Sequence, residues 1–183
     1  ASMAAGFLGC NRNKRSVQLN LKREPAREAL WRLIDSADVF VHNIRPQKIA
    51  TLGFAVDDVM ARKPDIVYGA FHGYLEEGPY AGRPAYDDVI QGESGIAAAF
   101  LARDGKPAFA PSVIADKSAG LIAANGLLAA LFQRMRTGNG VYMEIGMFES
   151  MTAYTLVEHQ FGLSFSPPEG DAGYTRVISA ERK

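Results

Sequence analysis

Apolar residues recur along this chain in two rhythms. Residues 16–21, "SVQLNL", alternate Val17, Leu19 and Leu21 with polar side chains, the period of a half-buried strand. Pro25 then opens a helix to about Asp35, with Ala26, Ala29, Leu30, Leu33 and Ile34 on one face. Residues 38–42 in "ADVFVHN" form a short β-branched and aromatic strand that "IRPQ" breaks. "FAVDDVMARKP" reads as a helix stopped by Pro64, and "DIVYGAF" as a further strand. Strands alternating with helices over short connections predict a parallel sheet covered by helices, an α/β domain. Ligands of such sheets collect at the carboxyl ends of the strands. Lys22, Asn43 to Arg45, and His72 to Tyr74 are therefore the first places to look.

The second half repeats the theme. "GYLEEGPYAGR" is a glycine- and proline-rich loop, followed by a helix over 86–100 and a turn-rich connection, "LARDGKPAFAPSVIAD". A long helix is expected over 117–136, stopped at Thr137-Gly138. "GVYMEIGMF" is a fourth strand and "ESMTAYTLVEHQF" a helix. The tail "SFSPPEGDAGYTRVISAERK" is turn-rich and carries no core pattern. The most apolar run, 121–132, is interrupted by Asn125. It is too short to span a bilayer and reads as a buried helix.

With 183 residues, 48% of them hydrophobic, the chain can bury one substantial core. Lys+Arg and Asp+Glu both number 20, so no net charge recommends a nucleic-acid or membrane-surface partner. Local basic clusters, such as Arg12, Lys14 and Arg15, leave a small anionic ligand open. The single cysteine, Cys10, cannot form an intrachain disulfide, which suits a reducing compartment. There is no GxGxxG opening a helix and no Walker loop. His42, His72 and His159 fit no zinc spacing, so no metal site is expected.

Asp116 stands before the long apolar helix. An aspartate there caps the helix by accepting a backbone N–H. The same place stabilises an ionised carboxylate through the helix dipole, and such a group can attack an activated acyl carbon. Local chemistry leaves both roles open.

Five stretches, in order, narrow the choice: "NRNKRSVQLNLK", "ADVFVHNIRPQKIATLGF", "GPYAGRPAYDDVIQGESG", "ADKSAGLIAANGLLAALFQRMRTGNG" and "VYMEIGMFESM". Together they resemble the class III CoA-transferases, the family of formyl-CoA and carnitine-CoA transferases and the related α-methylacyl-CoA racemases. The resemblance runs from Asn11 to about Ser150. It implies a Rossmann-like parallel sheet with flanking helices, part of a large CoA-binding domain over 1–150. Residues 151–183 would be a helix and linker leading towards a small domain outside this chain. It also implies a cytoplasmic, interlocked homodimer acting on acyl-CoA and free carboxylic acids, with coenzyme A as substrate and no tightly bound cofactor.

By the same resemblance Asp116 is the catalytic aspartate, which carries CoA as an aspartyl thioester during transfer. Leu19, Asn20, Leu21 and Lys22 match one CoA-lining segment, and Asn43, Ile44 and Arg45 a second. Arg83, Pro84, Ala85, Tyr86 and Asp87 match a third, near the reacting thioester. Gln47 stands where the family usually has glycine after Arg-Pro, and Thr51 where it has a CoA-contacting arginine. Lys48 lies close by and offers a substitute charge. The racemases carry a histidine at the position of Tyr86, which favours transferase over racemase. A non-catalytic CoA-binding or dimerisation module is the third reading. Neither acyl donor nor acceptor follows from the sequence.

Overall fold

Three parallel strands in the order β1-β2-β3 form the sheet: β1 is Val39–His42, β2 Val67–His72 and β3 Val141–Gly146. The computed structural model describes residues 4–101 and 105–173. Register sets Phe40, Tyr68 and Tyr142 in one row across the strands, and His42, Ala70 and Glu144 in the next polar row. The central strand β2 is buried over its first four residues. Buried on both faces, it reads as the near-continuous run "VYGA" instead of an alternation.

Among the described residues there are seven α-helices: α1 (Ala5–Cys10), α2 (Glu24–Ser36), α3 (Pro46–Thr51), α4 (Val56–Arg62), α5 (Asp87–Glu93), α6 (Ile114–Thr137) and α7 (Met147–Gln160). On one face Ile34, Ile49, Phe54, Val59 and Ile66 pack with Tyr68 and Ala70, and α2, α3 and α4 supply the cover. On the other, α6 lies on the sheet, with Leu127 against Gly69 and Gly126 against Met143 and Ile145. A second cluster of Tyr74, Ile90, Ile96, Ala115 and Met151 joins α5, α6 and α7.

Short-range chemistry explains the element ends. Pro25 falls in the first turn of α2, where its missing N–H costs nothing. Gly138 ends α6 at φ 75°, a left-handed position that glycine takes without strain, and its N–H bonds Arg134 O at 2.8 Å. Arg134 itself reaches Asp38 Oδ1 at 2.8 Å and Asp65 Oδ2 at 2.6 Å, tying the end of α6 to the entrances of β1 and β2. Gly140 packs so tightly that a Cβ there would stand 2.6 Å from the Pro64 carbonyl oxygen.

Several expectations are corrected. Residues 16–20 adopt no regular structure and 21 begins a turn, and Val17 is exposed. Alternation marks a strand only where a neighbour completes the ladder, and among the described residues none does. "IRPQ" does not simply break the chain, because Pro46 opens the short helix α3. The helix expected over 86–100 ends at Glu93: Gly95 turns the chain at φ +85°, and only a 3-10 turn follows at Ala98–Phe100. The long helix starts at Ile114, so Asp116 lies within its first turn and is not its cap.

The expected buried helix is buried on one side only. Ala115, Ala123 and Ala130 face inward, while Leu121, Leu128, Phe132 and Met135 are exposed. By length and composition alone the 24-residue α6 could cross a membrane. It packs instead along β2, β3, α5 and α7. Residues 102–104 of the turn-rich connection and 174–183 of the tail lie outside the described residues.

Candidate active site

α6 runs back along β3, which brings its first turn towards the carboxyl end of the sheet. Asp116 occupies that turn with its side chain exposed. Among the described residues its carboxylate takes part in no hydrogen bond or ion pair, so it is free to meet a ligand. Its backbone N–H, one of the orphan donors of a helix start, bonds Asp87 Oδ1 at 2.9 Å. The cap of α6 is thus supplied from α5. Asp87 is buried, and its Oδ2 accepts Gln91 Nε2 at 2.5 Å. Gln91 Oε1 accepts Ala110 N–H at 2.8 Å, which fixes the orientation of the Gln91 amide. Burial, and secondarily the Asp87 charge, raise the Asp116 pKa above its ordinary value of 3.8. The helix start favours a carboxylate and works against this rise.

The 43–45 segment is held by two histidines. His42 Nδ1 accepts Ile44 N–H at 3.1 Å, so its Nε2 carries the proton and donates to Tyr68 Oη at 2.8 Å. Tyr68 O–H in turn donates to Phe54 O at 2.9 Å. His72 Nε2 lies 3.2 Å from Ile44 O, and its Nδ1 3.1 Å from Glu144 Oε1. Both main-chain groups of Ile44 are therefore engaged, while Asn43 and Arg45 on either side stay exposed. Read from the sequence alone, these histidines fit no zinc spacing, and only His72 falls in a stretch singled out, as a strand end. The available signal was position: each is the last residue of its strand, and the strands are neighbours.

Burial, and secondarily His72, hold His42 below its ordinary 6.5. A histidine neutral in the fold but protonated when unfolded favours the unfolded chain as pH falls through 6.5. Thermal stability is expected to drop from pH 7.5 to 5.5, and His42→Gln to flatten that dependence. An unchanged slope in a melting series would refute the assignment.

Near the start of α2, Asn20 Oδ1 accepts Lys22 N–H at 3.2 Å and Arg27 donates to Leu21 O at 3.2 Å. Leu19 and Leu21 are half-buried, and Lys22 and Asn20 are exposed. Arg83 stacks over the Tyr80 ring at 4.6 Å. Pro84 is exposed, Ala85 packs on Gly73, and Tyr86 precedes α5 with 75% of its surface open. Asp87, by contrast, is turned inward. Thr51 Oγ1 bonds Gln47 O within α3, and Lys48 is exposed there.

Leu21 and Ile44 share the first core cluster, and Ala85 and Ala115 the second. Gln47 Nε2 comes within 3.7 Å of where a Gly82 Cβ would stand, which links the loops after β1 and β2. No hydrogen bond or ion pair among the described residues joins Asp116 to residues 19–22 or 43–45. The surface depressions at Trp31–Arg62 and Phe132–Arg136 contain none of these residues.

A parallel sheet with helices on both faces and exposed polar segments after its strands defines an α/β architecture. Within that class, the chain belongs to CoA-transferase family III, whose model matches residues 1–175. It is 34% identical over 147 residues to a "Probable fatty acyl-CoA transferase" of Mycobacterium tuberculosis, covering 80% of this chain and 37% of that protein. It is 34% identical over 149 residues to an acetyl-CoA:oxalate CoA-transferase of Acetobacter aceti, covering 81% and 38%. A crystal structure of a CAIB/BAIF family protein from Brucella suis superposes with a TM-score of 0.85 at 30% identity, covering 93% of this chain and 44% of that one. The chain thus spans less than two fifths of the length of these curated relatives.

Proposed function

We propose that this chain is part of a CoA-transferase in which Asp116 carries the transferred group. The observation that supports this most is the exposed, unbonded Asp116 carboxylate in the first turn of α6, within a chain of this family. Asp116 attacks the acyl carbon of a CoA thioester; a C–O bond forms, the C–S bond breaks, and its electron pair leaves on the thiolate. The thiolate then attacks the Asp116 carbonyl carbon and frees the donor carboxylate, leaving an aspartyl-CoA thioester. The acceptor carboxylate attacks that thioester, and the departing thiolate takes the acceptor's acyl group and restores Asp116. Leu19 to Lys22, Asn43 to Arg45 and Arg83 to Tyr86, of which Arg83, Pro84 and Tyr86 are exposed, line the CoA. Lys22 and Arg45 are the exposed cations suited to its phosphates. Oxalate as acceptor and acetyl-CoA or a fatty acyl-CoA as donor, named for the relatives, are the first substrates to try.

The test is to incubate the full-length protein with acyl-CoA, trap with hydroxylamine and map the modified residue by mass spectrometry. Modification at Asp116 is expected; turnover with modification elsewhere would overturn the assignment. Racemisation has no observation in its favour, since Tyr86 is not a histidine and His72 is engaged with Ile44 and Glu144.

The exposed face of α6, from Leu121 through Leu128 and Phe132 to Met135, fits burial against a second copy in a cytoplasmic homodimer. Residues 151–183 would lead from this large domain towards a smaller one. Light scattering is expected to give twice the chain mass for the full-length protein, and a monomeric mass for Leu128→Glu/Phe132→Glu. A monomeric wild type would rule the dimer out.

A further inference from the structure

Asp87 stands out as a buried acidic side chain with one oxygen on the start of the neighbouring helix α6 and the other on Gln91 of its own helix. Its Oδ1 accepts Asp116 N–H and its Oδ2 accepts Gln91 Nε2, with the Gln91 amide held by Ala110 N–H. Both oxygens therefore act as acceptors, the bonding of a carboxylate. Only 7% of Asp87 is exposed, and no cation pairs with it among the described residues. A buried carboxylate without a cation acts strongly on any nearby charge, because little water screens it. Asp116 is one such charge: its main-chain N–H bonds Asp87, and its pKa is raised in part by it.

We propose that Asp87 is a positioning residue for Asp116, fixing the first turn of α6 and setting a negative charge against which Asp116 is acylated. This rests on the transferase reading above. When Asp116 forms its C–O bond to the acyl carbon, it passes from an anion to a neutral anhydride, and the negative charge departs on the thiolate sulfur. The repulsion between the two aspartates ends at that step. Asp87 thereby raises the free carboxylate in energy relative to each covalent intermediate, and interactions that differ between two states are the ones that shift them. The raised Asp116 pKa has the same origin in part.

Other charges around α6 are committed elsewhere. Lys117 Nζ bonds Ser112 Oγ at 2.7 Å. On β2 and β3, His72 and Glu144 face each other. On α7, Glu149 accepts Leu75 N–H and His159 meets Gly95 O, while Glu158 is exposed. On α5, Asp88 is exposed, and Glu93 accepts the Tyr74 hydroxyl. None of these bonds the Asp116 carboxylate.

Two variants of the full-length protein test the idea. Asp87→Asn removes the charge but sets its amide against the Gln91 amide, donor against donor. Asp87→Asn/Gln91→Glu restores the donor–acceptor pair between the two side chains and moves the charge one link away, but Ser112 O loses the Gln91 Nε2–H that it accepts at 3.3 Å. The double variant is expected to fold and to melt between Asp87→Asn and wild type. Its trapped Asp116 adduct should fall about tenfold or more at equal acyl-CoA, and the acid limb of its pH–rate profile should move to lower pH. Asp87→Asn should show the same shifts with a lower melting temperature. If the double variant folds yet keeps the wild-type adduct level and acid limb, Asp87 has no such role. A double variant that does not fold also overturns the proposed separation of charge from hydrogen bonding. Wild type that forms no adduct would instead refute the transferase reading itself.

Discussion

Asp116→Ala in the full-length protein is expected to fold like wild type and to exchange CoA at least about 10⁴-fold more slowly, the scale set by removing a covalent nucleophile. Folding should survive because the side chain is exposed and makes no bond among the described residues. The main-chain N–H that Asp87 accepts is kept by alanine. The variant should still bind CoA with near wild-type affinity by calorimetry, since Lys22, Asn43 and Arg45, the proposed CoA contacts, are untouched. Exchange within tenfold of wild type would end the case for Asp116 as nucleophile. Wild-type activity should fall with acidity at a pH above that of an ordinary aspartate. The reacting form is the anion, and burial together with Asp87 raises the value through which it is lost.

Phe54→Ala carries the largest expected loss of stability, about 3–5 kcal/mol by comparison with other buried aromatic truncations. Phe54 is fully buried in the first core cluster, and its ring centroid lies 4.9 Å from that of Trp31. Against a typical total of roughly 5–15 kcal/mol, such a loss threatens the whole domain. It should also loosen the 43–45 segment, because the chain from Phe54 O through Tyr68 and His42 ends on Ile44. Denaturant titration of Phe54→Ala beside Leu33→Ala, which truncates an exposed residue of α2, measures this. Similar midpoints for the two would mean that Phe54 is not a core residue.

Periodicity, proline and glycine were enough to locate α2, β1, α4, β2, α6, β3 and α7 along the chain. These signals are local: a helix face repeats every three or four residues, a strand face every two, and Gly138 or Pro25 marks an end through its own φ preference. The motif order carried the family, and with it Asp116 as the residue to watch.

Where elements meet decided the rest. The alternation in 16–21 is as regular as that of a paired strand, but pairing depends on a neighbour far away in sequence. Likewise α6 is apolar nearly all round, and only its place on the sheet separates the buried Ala123 from the exposed Leu128. Asp87 looked like a candidate ligand contact until α5 and α6 converged and turned its carboxylate onto the Asp116 N–H, 29 residues away. His42 and His72 acquired a shared partner in Ile44 only when parallel register set the ends of β1 and β2 side by side. The sequence by itself determined the alternation of strands and helices from α2 onward and the family. Tertiary structure alone decided which side chains are free and which are engaged, because burial and hydrogen bonding belong to pairs of distant residues and not to either one.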